Sequence, residues 1–515
     1  MKKNFFRSLI ATFLAVVMIA TLGSAVVFAA EDDIAVASDV SSLNPINWFD
    51  ALIDEAVRLF QKIIDFFQSL FNCNFKPGKN ETPTVPETPE VPETPEEPEV
   101  PAVPVPVVPA PEGAFEVYSY EDLVLAIDRE ETVIVIKCDI EIPETVLIPE
   151  NADITIYGDV FTVKRATDFD GNMFIASVGS KLTLMSITID GGAEWTGEVD
   201  PVLLRPTENT GMTATGAIVG ADKNAAIVLG KGAVVQNNDG ANAINLGIRI
   251  GATLTLDGGE IINNNSGAGA IWGGGLITIN SGKINSNSSS GPAGAIRMVS
   301  SCNLTMNGGE INNNKAATTG GAIYGYGAST YNFNGGEMAY NYADIGGAIY
   351  TGDSSIYNIS GDFELRGNSA ASYGAIRFTN YTTLNMTGGK IYDNESDDSF
   401  DAFYGWNVAA NIKGGEIADD FTIQSGLANT IGAADITGTV HFAIATTHNT
   451  VYLTADFNGF RFTVAENTNF ANFNLKPAAG YEYAEGDEAK LICMNEGYET
   501  YWDATAGVFK IASVV

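Results

Sequence analysis

Histidine is nearly absent, with 2 residues in 515, and the 4 cysteines (Cys73, Cys138, Cys302, Cys493) stand far apart with no C-x-x-C and no H-E-x-x-H. A zinc or haem centre therefore has almost no ligands to draw on, and metal chemistry would have to use carboxylates. Basic residues are scarce too: 27 Lys+Arg face 63 Asp+Glu, a formal charge of -36. No Lys/Arg-rich run offsets that charge, so the chain repels phosphate backbones and no nucleic-acid partner is expected.

What is present begins with an export signal. Lys2, Lys3 and Arg7 precede an apolar run from Leu9 to Phe28, and Val27-Phe28-Ala29 has the pattern a signal peptidase reads. Residues 1–29 are expected to be removed, and an uncleaved membrane anchor is the alternative that the length of the run keeps open. Either way the bulk of the chain is extracellular, secreted or attached to the cell surface. That compartment permits disulfides, and the four cysteines allow three pairings that sequence does not rank.

A short polar segment, 30–44, leads to an amphipathic helix expected within 45–75. There Asp50, Asp54, Arg58, Lys62, Asp65 and Ser69 form one narrow polar stripe among Trp48, Phe49, Phe60, Phe66, Phe67 and other apolar residues. So much apolar surface must be covered, by self-association or by docking at a membrane or envelope partner. A Pro/Glu-rich linker follows at 76–113, with eight prolines at strict three-residue intervals from Pro83 to Pro104. That is a polyproline II spacer; at ~3.1 Å per residue it spans on the order of 90 Å.

The main domain, 114–439, is defined by repetition. Ser119-x-x-Asp122 opens a short capping helix. From about residue 210 a G-A-I signature recurs with its alanine at 217, 243, 270, 295, 322, 348, 375 and 402. A Gly-Gly or Ser-Gly pair, its last glycine at 259, 282, 309, 336, 361, 389 and 415, has the same mean step of 26. Short alternating apolar runs between glycine and asparagine corners make each repeat a set of strands and turns stacked on the next. The fold expected is all-β, a right-handed parallel β-helix solenoid with coils of about 26 residues. Residues 440–515 lack the period and read as a small C-terminal β-module or cap.

An apolar residue followed three positions later by Asn completes the repeat. Asn264, Asn287, Asn314, Asn341, Asn368 and Asn394 precede the G-A-I alanines at a near-constant distance, so they should stack as a structural ladder, each also supplying the left-handed conformation of a corner. Gly320-Gly321-Ala322-Ile323 and Gly346-Gly347-Ala348-Ile349, paired with this F-x-x-N-like element, resemble the repeats of polymorphic outer-membrane proteins and related β-helical adhesins of pectin-lyase-like fold. Ile, Met or Leu stands where that family has Phe, no outer-membrane barrel follows and no L-P-x-T-G occurs, so neither autotransport nor sortase anchoring is expected. The resemblance implies a surface-displayed, adhesin-like rod rather than a catalyst, with a glycan or a surface protein as partner.

The residue after each inward Ile of G-A-I should face out. That row reads Trp272, Arg297, Tyr324, Tyr350, Arg377 and Tyr404. Sugar rings stack on such surfaces and Arg forks onto uronate or sulfate, whereas the plainer role is a cross-strand ladder. A second row follows the glycine pairs, and there Glu310, Glu337 and Asp362 would set three like charges on successive coils, a calcium site if not screened by solvent. No other cofactor is expected. Polysaccharide lyases and hydrolases are the enzymatic alternative. The acids that match them, Asn237-x-Asp239 and Asp397-Asp398, should lie about six coils and roughly 29 Å apart, too far to flank one glycosidic bond. A structural envelope rod without ligand is the third reading.

Overall fold

The computed structural model describes residues 107–514, apart from 249–250, 300–301, 399–400, 425–428, 433–434, 443–449, 454–456, 458 and 466–472. The expected signal peptide, polar segment, amphipathic helix and most of the linker lie outside the described residues.

Alternation of apolar and polar residues dictates short strands, and these stack in register into a parallel β-solenoid of about 12 turns. One coil shows the plan. Thr253–Ile262 bends at Asp257–Gly259, giving faces I and II of a 25-stranded sheet; Asn265–Ser266 belongs to a seven-stranded face III; Ile271–Gly273 belongs to a 14-stranded face IV. Leu254, Leu256, Ile261 and Ile271 point into the lumen and are fully buried, and equivalent residues of neighbouring coils stack on them.

Gly-Gly in G-G-A-I reflects crowding between coils. A Cβ on Gly321 would lie 2.0 Å from the Gly347 carbonyl oxygen of the next coil, so no side chain fits. The lumen also exchanges volume between faces. Tyr331 and Tyr357 enter it from face I and stack at 4.4 Å, while face IV opposite supplies Gly325, where a Cβ would lie 1.9 Å from the Tyr331 hydroxyl. Burial pushes both tyrosine hydroxyls up.

The asparagines form a buried ladder. From Asn287 onward each Oδ1 accepts two bonds from the preceding coil: Asn287 Oδ1 receives the backbone N–H of Asn264 at 3.1 Å and its Nδ2 at 3.0 Å. The same pattern joins Asn287 to Asn314, Asn314 to Asn341, Asn341 to Asn368 and Asn368 to Asn394. Each Nδ2 also donates to a carbonyl of the coil before, as Asn314 does to Ile284 at 2.8 Å. The left-handed conformation expected of these asparagines belongs to the residue before each: Asn263, Ser286, Asn313, Tyr340, Gly367 and Asp393 all have φ between 55° and 61°. That residue turns the corner and its neighbour is thereby aimed inward.

The ladder begins one coil earlier than expected, at Asn238, which follows Val235 at the same spacing and the left-handed Asn237, and both ends are capped by ionisable groups that sequence periodicity did not reveal. Asn238 donates its backbone N–H to Asn264 Oδ1 at 3.0 Å and accepts from the buried Arg165 guanidinium at 3.0 Å. Burial lowers Arg165 to about 10. At the other end Asp419 Oδ2 accepts from Asn394 N and Nδ2 at 3.0 and 2.8 Å. A donor-only group starts the chain of amides and an acceptor-only group ends it.

The boundary expected at 439/440 does not interrupt the ladders. Val440–Phe442, Phe460–Val464 and Leu491–Cys493 continue face IV, paired parallel in turn. The period is lost because coils shorten: Phe403 pairs with Phe421 and Phe421 with Val440, while face III stops at Glu395–Ser396. The cap is smaller than expected, an antiparallel hairpin of Tyr498–Asp503 and Val508–Ser513 whose Phe509 pairs with Leu475. At the opposite end α1 (Tyr120–Asp128), N-capped by Ser119 accepting from Asp122 N, buries Leu123, Ala126 and Ile127. Among the described residues Cys138, Cys302 and Cys493 form no disulfide with one another.

Three outcomes follow. Asn314→Ala should lower unfolding stability by roughly 1–3 kcal/mol in urea titration, because it strands buried donors and acceptors on both sides. Gly325→Ala should cost about 1–3 kcal/mol, most of it recovered when Tyr331→Phe removes the obstructing hydroxyl. Burial is the largest influence on Asp419 and raises its carboxyl above the usual range despite two amide donors. A raised folded-state value means stability that is full below the unfolded carboxylate range and lost as pH rises through the folded value. Asp419→Asn should therefore melt higher than wild type at neutral pH, with the gap closing in acid.

Candidate functional site

Face IV presents the outward row as one continuous register: Trp272 pairs with Arg297, then Tyr324, Tyr350, Arg377 and Tyr404. The inward isoleucines and Phe403 that alternate with them are buried, which aims the six side chains outward and leaves each half-buried. Asn245 precedes the row, and Thr422, His441 and Thr463 extend it.

Two rings of the row lie flat against each other along the axis. Tyr324 and Tyr350 stack at 5.6 Å with an 11° interplanar angle, and the Arg297 guanidinium sits 5.8 Å from the Tyr324 centroid. The Arg377 guanidinium packs against Tyr404 at 4.6 Å and Tyr373 at 4.8 Å, two rings that themselves meet at 4.7 Å. Ring faces of Tyr324, Tyr350 and Tyr404 are therefore engaged by neighbours in the row. Burial raises the Tyr324 and Tyr404 hydroxyls and lowers Arg377, which stays cationic at neutral pH. Arg297 Nε is buried with no hydrogen-bond partner among the described residues.

Tyr373 escaped the sequence reading. It occupies the first glycine position of G-G-A-I with φ 59°, equivalent to Gly320 and Gly346 at 64° and 65°. An aromatic at a left-handed glycine position was the available signal.

The acidic row is rearranged relative to expectation. Glu310 pairs with Glu337, but Glu337 pairs with Glu364, not Asp362. Two extra residues after Gly361 displace Asp362, because Phe363 turns inward and stacks on Phe333 at 4.8 Å. Arg366 relieves the like charges, 3.0 Å from Glu337 and 3.8 Å from Glu364. Asn285 donates to Glu310, Asn312 to Glu337 and Tyr392 to Glu364. Among the described residues no three His, Cys, Asp or Glu side chains converge as metal ligands.

The carboxylates of the enzymatic alternative stay apart. Asp239 is bonded to Asn265, Asn209 and Thr213, and Asp398 accepts from Tyr373 N. Six ladder steps along face III separate the Asp239 strand from Glu395–Ser396, about 29 Å at the spacing of stacked strands. His441 is a strand residue, its Nδ1 2.8 Å from Thr463 Oγ1. No known protein family, curated protein or solved structure matches the chain at a significant level.

Arg366→Ala should lower the melting temperature, more at low salt than at high, since it uncovers Glu337 beside Glu310 and Glu364. Adding Glu337→Gln should restore most of the loss.

Proposed function

We propose that the protein is a secreted or cell-surface rod, adhesin-like and without catalytic activity, that binds glycans along face IV. The row from Trp272 to Tyr404 carries this reading: six half-buried rings and guanidinium groups on consecutive coils, five of them in contact with a neighbour in the row, and edged with hydroxyl and N–H groups. Fixed side chains lose little freedom when a ligand arrives. The two arginines favour uronate or sulfate groups, which a guanidinium holds bidentately. Stacking on the tyrosine faces has less support, since Tyr324, Tyr350 and Tyr404 are engaged within the row. The export signal would deliver the chain to the outside, and the linker would hold the rod clear of its N-terminal attachment.

Binding of the full chain to neutral, uronic and sulfated glycans, compared with Tyr324→Ala/Tyr350→Ala and Arg297→Ala/Arg377→Ala, tests this. Wild-type binding to an acidic glycan that weakens at least about tenfold in the arginine variant is the expected outcome. Equal binding by both variants, or none by the wild type, would remove the row as the functional face.

A further inference from the structure

Face I differs from the rest of the surface in one respect. Over five coils, from Leu276 to Thr387, three outward positions per coil hold no Asp, Glu, Lys, Arg or His, although the chain carries 63 acidic residues. Its central line runs Thr278, Thr305, Asn332, Asn358, Asn385 in register. Charge returns at the flanks, with Asp257 before the array and Lys413 after it.

The side chains of this array are mutually ordered. Asn385 Nδ2 donates to Asn358 at 2.9 Å, Asn358 to Asn332 at 2.8 Å and Asn332 to Thr305 at 3.3 Å. A parallel line joins Asn334 to Asn307 and Asn307 to Asn280, each at 2.9 Å, and ends on Asp257 at 2.7 Å. A ladder link uses one donor and one acceptor of each amide, so every amide keeps a second N–H and a second lone pair. Because the strands are flat and stacked, these recur about every 4.8 Å along the axis, with lines roughly 6.7 Å apart.

We propose that this charge-free array is a docking surface for a neutral, extended polysaccharide lying along the solenoid axis. Charge selects the occupant. An anionic polymer finds no cation there, and a second copy of the chain would bring another charge of -36. A protein interface has an apolar, aromatic-rich centre, whereas Leu276 and Ile356 are the only aliphatic residues of the array and it has no aromatic. A hydroxyl-rich neutral chain matches repeated single donors and acceptors held in fixed positions, so little side-chain freedom is lost on binding. This surface is independent of the face IV row, which favours anionic groups.

The test is co-sedimentation of the full chain with insoluble cellulose and chitin at low and high salt. Wild type should be depleted by at least one of them with little salt dependence. Asn332→Asp/Asn385→Asp, near-isosteric but charged, should weaken depletion at least about tenfold, while Tyr324→Ala/Tyr350→Ala should not. Thr278→Lys/Thr305→Lys, which leaves the amide links between asparagines intact, guards against a folding effect, and both variants should keep the wild-type melting profile. No depletion of wild type by either polymer would overturn the proposal, as would undiminished binding by the charged variants. A dimer in sedimentation velocity that both charged variants abolish would assign the face to a second copy and overturn it equally. Failure of the face IV reading would show in the acidic-glycan comparison alone.

Discussion

From Asn287 to Asn394 each Oδ1 of the buried asparagine ladder accepts two hydrogen bonds from the coil before it, and the rest of the structure depends on that constraint. A solenoid corner turns backbone groups inward where water cannot reach, and unpaired they would each cost on the order of 1–3 kcal/mol. The side-chain amide answers all of them at once: its oxygen takes a backbone N–H and an amide N–H, and its nitrogen reaches back to a carbonyl such as that of Ile284. Satisfaction at every link makes slippage of one coil against the next expensive. Arg165 and Asp419 give the ladder a direction, since one can only donate and the other, when ionised, can only accept.

Fixed register has consequences on every outer face. Residues at equivalent positions of successive coils must stand side by side, so composition at one position becomes a line of like chemistry. On face IV the line is rings and guanidinium groups; on face II it is acids interrupted by Lys283 and Lys390 and braced by Arg366; on face I it is uncharged amides and hydroxyls. The ladders on face I donate toward the N-terminal end, opposite to the buried one. A hairpin excursion, Trp195–Asp200 with Arg205–Asn209, straps face III: Arg205 donates to Ser286 O and Ser288 Oγ, and Asp200 pairs with Lys315 at 2.6 Å.

Periodic features were legible in the sequence and single events were not. The G-A-I step of about 26 gave the solenoid, and the apolar-x-x-Asn spacing gave six ladder residues, because a stacked fold repeats its chemistry at a fixed interval. Arg165 and Asp419 lie where the period breaks, at the excursion and at the shortened coils, so spacing could not reach them, whereas Asn238, three residues after Val235 and in step with Asn264, was within its reach. Asp362 was assigned to the wrong row for the same reason: two residues inserted before Glu364 shift the chain by one alternation, and only the inward packing of Phe363 reveals it. The outward row on face IV was readable from alternation alone, but the stacking that engages its tyrosine faces depends on side-chain torsions.

Side-chain amide hydrogen exchange, followed by NMR on assigned asparagines, tests the ladder most directly. The Nδ2 protons of Asn264, Asn287, Asn314, Asn341 and Asn368 should exchange only through global unfolding, with similar protection, while those of the exposed Asn307 and Asn334 exchange quickly. Equal, rapid exchange in the two groups would contradict a ladder that holds the coils in register.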